Sequence, residues 1–169
     1  ITMRTPGHDA ELAAGFLYGE GLLRDARDVI DTGHCGPTGN ILRVTVRADL
    51  PLDLARVTRN FYTTSSCGVC GKASIDEVAV RCAPLPDGPV VARAVILALP
   101  DLLRVAQRAF DATGGLHAAA LFSPTGELIA IREDVGRHNA LDKLIGSQLL
   151  AGALPLHDRI VMVSGRVSF

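Results

Sequence analysis

The chain contains no tryptophan, and aromatic residues make up only 4% of its 169 positions. Its core must therefore be built mostly from leucine, valine, isoleucine and alanine. Four cysteines are too few for a disulfide-stapled scaffold, which small secreted domains use in place of a large core. No apolar run reaches the roughly 20 residues that span a bilayer, and no signal peptide is recognisable. We therefore expect a cytoplasmic protein.

Neither sign of charge dominates, because 17 basic residues are balanced by 18 acidic ones. Nucleic-acid-binding domains usually carry a basic patch that neutralises phosphates, and no basic block stands out here. The composition thus gives no electrostatic support to a nucleic-acid partner, and the lack of a long apolar run gives none to a membrane partner. The chain is 48% hydrophobic and long enough to bury a real core.

Helical and strand patterns alternate in the N-terminal half. Apolar residues at helical spacing predict a helix over Asp9–Gly19. Ile41–Arg47 alternates apolar and polar residues, which predicts a half-buried strand, and Val29–His34 is its expected partner. Pro51–Asn60 predicts a short helix, and Val78–Cys82 predicts a further strand. This half is therefore expected to be an α+β region.

The C-terminal half shows a clearer pattern, in the order helix, two strands, helix, strand. The first helix is expected to begin at Pro100 and run to Asp111, because proline is favoured in a first helical turn. Its inward face is expected to hold Leu102, Leu103, Ala106 and Phe110. The remaining elements are the two strands of a hairpin, a helix and a buried strand: His117–Phe122, Glu127–Arg132, Arg137–Leu150 and Arg159–Val163.

Residues 83–89 contain three prolines and form the best linker candidate. We therefore predict an α+β region over residues 1–88 and a layered α/β domain over residues 89–169. Zinc-dependent deaminases share the order of elements in the second part, but they need H-x-E after the hairpin and P-C-x-x-C after the next strand. Arg137-His-Asn139 and Ser164-Gly-Arg166 stand at those places instead, so we expect the layered shape without zinc chemistry.

Cys67-Gly-Val-Cys70 is the strongest chemical signal in the sequence. Small neighbours leave backbone N–H groups free to face a thiolate, and Lys72 adds a nearby cation, so both lower the pKa of a thiol. The pair can share a metal ion, form a disulfide or hand sulfur from one thiol to the other. A zinc site needs two more ligands; His34-Cys35 is a conceivable second pair, whereas Cys82 stands alone. We expect no structural metal, although zinc stays an open alternative.

A polar segment, Arg132–Asn139, lies between a strand end and a helix start. Free backbone N–H groups and the helix dipole favour an anion at such a place. In open α/β sheets, ligands bind in the crevice beyond the strand ends, where Ser164-Gly-Arg166 is also expected. The candidate ligand-binding residues are therefore Arg137, His138, Asn139, Ser164 and Arg166. Plain helix capping by Asp134 explains the local pattern equally well.

Two glycine-containing segments are weaker signals. Gly114-Gly115 is expected to cap the end of the preceding helix, and His117 is expected to be a core histidine of the following strand. Gly71-Lys72 does not fit a phosphate-binding loop, because Ala73 stands where that loop needs serine or threonine.

Five segments, in this order, resemble those of the FdhD family, the formate dehydrogenase accessory sulfurtransferases. They are Met3–Gly21, Thr64–Ser74, Gly114–Ala119, Arg132–Lys143 and Ser164–Phe169. A single cysteine pair is weak support for such a likeness, whereas five ordered segments are specific. The family continues well beyond the last segment, so we expect the cofactor site to be incomplete in this chain.

The resemblance implies a sulfurtransferase that carries sulfur as a cysteine persulfide. Members of the family accept sulfur from a cysteine desulfurase and pass it to the molybdenum or tungsten bis-guanylyl pterin cofactor, which then enters formate dehydrogenase. Cys67 matches the persulfide-carrying cysteine, and Cys70 is expected to assist transfer or release sulfide. The guanylyl phosphates, or a guanine nucleotide in their place, are expected at Arg137 and near Arg166. The family also implies a cytidine-deaminase-like second domain and a homodimer.

A binding protein without covalent chemistry is the alternative function. It would hold the cofactor as a chaperone of formate dehydrogenase, with the Cys67–Cys70 pair bracing a loop. A small zinc-braced module is a third possibility. The sequence alone leaves these alternatives open.

Overall fold

The computed structural model describes residues 1–52 and 86–166. Within them, four α-helices, one short 3-10 helix and five strands follow one another along the chain: α1 Asp9–Gly19, the 3-10 helix Ala26–Asp28, β1 Val29–Cys35, β2 Ile41–Val46, α2 Arg93–Ala106, α3 Arg108–Thr113, β3 His117–Phe122, β4 Leu128–Asp134, α4 Arg137–Leu150 and β5 Ile160–Val163. The predicted mixed α/β class is confirmed. The predicted helix Pro51–Asn60, the predicted strand Val78–Cys82 and the Cys67–Cys70 pair lie outside the described residues.

The described residues form two compact units. The first contains residues 1–5, 86–141 and 155–166, and the second contains residues 6–52 and 142–154. Each unit is made of more than one stretch of the chain, whereas we predicted a single boundary between residues 88 and 89. No helix in the described ranges has the length and apolar character needed to cross a membrane.

The first unit is built on a three-stranded antiparallel sheet in the order β4-β3-β5. The central strand pairs on both sides, so that Ala120 lies opposite Ile131 of β4 and Met162 of β5. Strand β3 is buried on both faces, as its run of small and apolar residues predicts. Its alternate residues Ala118, Ala120 and Phe122 form the core with Leu99 and Leu103 of α2.

Helix α2 differs from the prediction. It begins at Arg93, seven residues before the expected start, and Pro100 lies inside it. Val95, Leu99 and Leu103 recur every four residues and pack on the core of the first unit, and this burial outweighs the backbone hydrogen bond that proline removes. Leu102, expected to face inward, is 43% exposed. The helix ends before Gln107, whose backbone (φ −79°, ψ 75°) separates α2 from α3.

The second unit packs α1 against the β1–β2 hairpin and against the later turns of α4. The hairpin pairs Val29 with Val46 and Cys35 with Ile41 at its two ends, so the predicted strand pair is confirmed. Its core contains Ala14, Leu23 and Leu149. The bounds of α1 and α4 coincide with the predicted helices.

Two glycines let α1 and α4 approach closely within this unit. A Cβ atom added at Gly15 would overlap the backbone carbonyl of Asp142, and one added at Gly146 would overlap the backbone carbonyl of Glu11. Backbone cannot move aside as a flexible side chain does, so this helix crossing requires glycine at both positions.

We expect Gly15→Ala or Gly146→Ala to lower the free energy of unfolding by about 3 kcal/mol, because overpacking against backbone shifts whole helices. Urea denaturation followed by circular dichroism measures the change. Gly19→Ala is the matched control, because an added Cβ there meets no atom within 4 Å. Equal stability of the Gly15→Ala and Gly19→Ala variants would contradict the close crossing.

Candidate functional site

The end of β4 is organised by the carboxylate of Asp134, which is fully buried. One oxygen accepts hydrogen bonds from the backbone N–H of Gly136 (2.8 Å) and from the side-chain Nδ2 of Asn139 (2.9 Å). The other oxygen accepts from the backbone N–H of Thr5 (3.0 Å). A buried carboxylate is stable only when donors replace its lost hydration. Asp134 therefore joins the strand end, the start of α4 and the N-terminal segment.

Asn139 is buried and holds the N-terminal segment in place. Its Nδ2 donates to the backbone carbonyl of Met3 (2.8 Å) as well as to Asp134, and its Oδ1 accepts from the hydroxyl of Thr2 (3.3 Å). Both amide hydrogens are thus used inside the protein. Asn139 thus fixes the N-terminal segment against the start of α4, and its direct contact with a ligand stays a prediction.

The N-terminal segment crosses the junction between β4 and α4. Besides the Thr5 N–H bond to Asp134, the Thr5 hydroxyl accepts a hydrogen bond from the backbone N–H of Val135 (2.9 Å). These contacts link residues more than 120 positions apart, so no local sequence pattern indicates them.

The start of β3, the start of α4 and the end of β5 meet at Gly165. Ser164 extends the pairing with β3: its N–H donates to the carbonyl of Ala118 (2.9 Å), and its Oγ accepts from the Ala118 N–H (2.8 Å). A Cβ atom at Gly165 would lie 3.1 Å from Nδ1 of His117 and 3.7 Å from Cβ of Arg137. The structure therefore brings Arg137 and the segment after β5 together at one end of the sheet. Arg166, which follows Gly165, is exposed.

A cavity of about 420 Å³ opens at the same end of the sheet. Its walls are Gln107, Phe110, residues 114–117 and Ser164. Gly114 ends α3 with a left-handed backbone (φ 68°), which confirms the predicted helix cap. His117 is half-buried in the cavity wall and not a core histidine, because β3 begins at that residue and its buried positions start at Ala118.

Phe110 and the backbone around it are held by two charged side chains. The carboxylate of Glu133 accepts hydrogen bonds from the N–H groups of Ala109 (2.9 Å) and Phe110 (2.8 Å). The guanidinium of Arg104 lies 4.7 Å from the centre of the Phe110 ring and pairs with Asp111 at 2.6 Å, a favourable cation–π geometry. The sequence places Glu133 in the polar segment Arg132–Asn139 but does not indicate its contact with Phe110, because these residues meet only through folding.

His138 follows Arg137 in the first turn of α4. Burial lowers the pKa of His138 below its ordinary value, and the positive charge of Arg137 lowers it further. Both effects disfavour the imidazolium form. The imidazole is therefore neutral at neutral pH, and the positive charge at this helix start comes from Arg137 and the helix dipole.

Cys35 is the one cysteine among the described residues, and its thiol is free and half-buried. Residues 1–52 and 86–166 contain no group of three or more side chains that could hold a metal ion. The sulfur-carrying role of Cys67 and Cys70 concerns residues outside these ranges and stays a prediction.

This α/β unit thus has, beside the start of β3 and the end of β5, a cavity whose volume is in the size range of small-molecule sites. The sequence profile of the FdhD/NarQ family matches residues 1–169. The chain belongs to the FdhD/NarQ family.

Relatives of this chain carry the name sulfur carrier protein FdhD. The chain is 52% identical to the protein of Mycolicibacterium paratuberculosis, covering 100% of this chain and 65% of that relative. It is 50% identical to the protein of Streptomyces avermitilis, covering 100% of this chain and 64% of that relative. The chain thus spans a little under two thirds of the length of these relatives.

A solved structure supports the fold. The crystal structure of a protein from Desulfotalea psychrophila, described as a formate dehydrogenase accessory protein, superposes with a TM-score of 0.69 at 24% identity. The match covers 97% of this chain and 59% of the other. At this identity the likeness shows a shared fold.

We expect Asp134→Ala to lower the free energy of unfolding by about 3 kcal/mol or more, because it removes several hydrogen bonds to a charged acceptor. Hydrogen exchange at the Gly136 amide should accelerate in the same variant. Asp87→Ala is the control, since Asp87 is exposed. Equal unfolding midpoints for the two variants would show that Asp134 does not hold the junction together.

We expect the NMR titration of His138 to give a pKa below the usual value of about 6.5. Arg137→Gln should raise that pKa only in part, because burial is the larger cause of the shift. As the pH falls below the unfolded-state pKa, the unfolded chain takes up the proton first, so His138 reduces stability there. Arg159→Gln, which removes an exposed arginine, should leave the pKa unchanged. A normal pKa in the native protein contradicts this account.

Proposed function

We propose that this chain is the greater part of a sulfurtransferase that carries sulfur as a persulfide on Cys67. The proposal rests on sequence identity: the chain is 52% and 50% identical, along its whole length, to two relatives named sulfur carrier protein FdhD. The Cys67-Gly-Val-Cys70 pair supplies two thiols at a spacing suited to handing on sulfur.

The transfer begins with attack of the Cys67 thiolate on the outer sulfur of a donor persulfide. The S–S bond of the donor breaks, the donor cysteine leaves as a thiolate, and Cys67 becomes the persulfide. Attack of the Cys70 thiolate on the inner sulfur then forms a Cys67–Cys70 disulfide and releases the outer sulfur as hydrosulfide. A cellular dithiol reductant returns the pair to thiols.

The acceptor we propose is the molybdenum or tungsten bis-guanylyl pterin cofactor, bound as a substrate. A helix start provides backbone N–H donors and a positive dipole for its phosphates, and α4 adds Arg137 there. Arg166 follows the segment that packs against Arg137. The adjoining cavity of about 420 Å³ is in the size range of small-molecule sites. These residues fit a nucleotide portion of the cofactor.

The partners that follow from this proposal are a cysteine desulfurase as donor and formate dehydrogenase as the enzyme that receives the cofactor. A homodimer is the proposed assembly. The structural neighbour described as a formate dehydrogenase accessory protein supports formate dehydrogenase as the client.

Incubating the protein with a cysteine desulfurase and cysteine tests the carrier role. We expect intact-mass and peptide mass spectrometry to find one added sulfur on the peptide that contains Cys67. The Cys67→Ser variant should lose this label, because the proposal assigns the persulfide to Cys67. Cys35→Ser is the matched control and should keep the label, since Cys35 is half-buried.

Persistent labelling of the Cys67→Ser variant at the wild-type level would contradict the carrier role. If that variant also restored formate dehydrogenase activity in a strain lacking the native protein, the chain would act as a cofactor-binding chaperone without covalent chemistry.

A further inference from the structure

Helix α2 carries a second apolar row beside the one that it buries. Val95, Leu99 and Leu103 pack on the core of the first unit. The second row, which we call the exposed row of α2, consists of four exposed residues spaced four, four and three positions apart: Ala94, Ala98, Leu102 and Val105. This spacing puts them on one side of the helix. Leu102 is 43% exposed and Val105 is 82% exposed, and a contiguous exposed apolar surface marks an interaction site.

The sizes of these side chains suit a second copy of the same row. Ala98 stands in the middle, with the small Ala94 four residues before it and the large Leu102 four residues after it. In an antiparallel pair centred on Ala98, each Leu102 lies opposite Ala94 of the other copy, so a large side chain fills the space beside a small one. A parallel pair would instead oppose two leucines at one end and two alanines at the other.

The ends of the exposed row match in the same antiparallel arrangement. Val105 lies seven residues after Ala98, and Val90 lies eight residues before it, in the segment that leads into α2. Val90 is 99% exposed. Because a two-fold contact uses every pair twice, Val105 of each copy is expected to meet Val90 of the other.

The charged residues of α2 are complementary across such a contact. Asp101 and Arg93 are both exposed. Asp101 lies three residues after Ala98 and Arg93 lies five residues before it, so in an antiparallel pair they are offset by about 3 Å along the helix axis. Both lie on the same flank of the exposed row, and a long arginine side chain reaches the facing aspartate. Two such opposite-charge pairs favour the antiparallel direction.

We infer that two copies of this chain associate through the exposed row of α2, antiparallel about a two-fold axis at Ala98. The inference rests on the homodimer proposed above and assigns a contact surface to it. A helix of 14 residues is about 21 Å long, and one such pair buries less than the roughly 800 Å² per partner of a standard interface. The association is therefore reversible and depends on protein concentration.

A membrane surface fits the exposed row less well than a second copy does. Helices that lie on anionic membranes carry lysine and arginine along their polar face. Helix α2 contains Arg93, Arg104 and Asp101 and no lysine, and Arg104 pairs with Asp111. The remaining two charges are opposite in sign, so they favour a partner that supplies both signs, as a second α2 does.

Sedimentation velocity over a range of protein concentrations tests this surface. Ala98→Glu places two carboxylates together at the axis, so we expect it to raise the dissociation constant of the dimer at least about tenfold. Its unfolding midpoint should not change, because Ala98 is exposed. Ile96→Glu is the matched control. Ile96 is 53% exposed and lies about 200° around the helix from Ala98, so this variant should associate like the wild type.

Cysteine cross-linking tests the antiparallel direction. Closely packed helices bring opposed Cα atoms to about 5 Å, a separation that a disulfide bridges. Under mild oxidation, Ala98→Cys should cross-link to itself, and a mixture of Ala94→Cys and Leu102→Cys proteins should form the 94–102 link. Peptide mass spectrometry identifies both. A 94–94 link formed as readily as the 94–102 link would contradict the antiparallel contact.

Equal dissociation constants for Ala98→Glu and the wild type would overturn the inference and leave the proposed homodimer to another surface. A wild-type chain that stays monomeric at every concentration would refute both. Binding to phosphatidylserine vesicles that Ala98→Glu abolishes would also refute the inference, because the exposed row would then be a membrane surface. Sulfur labelling of Cys67 should be the same in Ala98→Glu and the wild type, so that labelling tests the carrier role alone.

Discussion

The buried carboxylate of Asp134 is the contact on which the site depends. Three of its donors come from the loop after β4, from α4 and from the N-terminal segment, so this one carboxylate holds three segments of the chain together. A buried carboxylate held by N–H groups is rigid, because losing any donor leaves charge without solvation. The same carboxylate supports the capping interpretation of the sequence segment, because it accepts from the Gly136 N–H before α4; anion binding at this helix start stays a prediction.

The antiparallel sheet places the candidate binding groups at one end of its strands, where β3 begins and β4 and β5 end. Because β3 pairs antiparallel to both neighbours, its first residue, His117, lies beside the ends of β4 and β5. The helix that follows β4 and the loop that follows β5 must therefore begin at the same end of the sheet. Gly165 makes the closeness possible, because a side chain there would press on the ring of His117. The proposed phosphate contacts are a consequence of this topology.

Periodicity was sufficient to predict the elements with a regular pattern. The bounds of α1 and α4, the β1–β2 pair and the second hairpin were predicted because their apolar residues recur at helical or strand spacing. Helix α2 was mispredicted because proline was taken as a start signal, whereas Val95, Leu99 and Leu103 bury one face on both sides of it. The roles of Glu133 and Thr5 were missed because their contacts form between distant segments. Cys67 and Cys70 were identified from sequence alone, and their chemistry remains a prediction.

We propose that the end of the sheet where β3 begins and β4 and β5 end binds the nucleotide portion of a cofactor. A crystal structure of the protein grown with guanosine diphosphate tests it most directly. The account predicts the diphosphate at the first turn of α4 beside Arg137. Nucleotide bound elsewhere, for example on the β1–β2 hairpin, with this end of the sheet unchanged, would contradict the account.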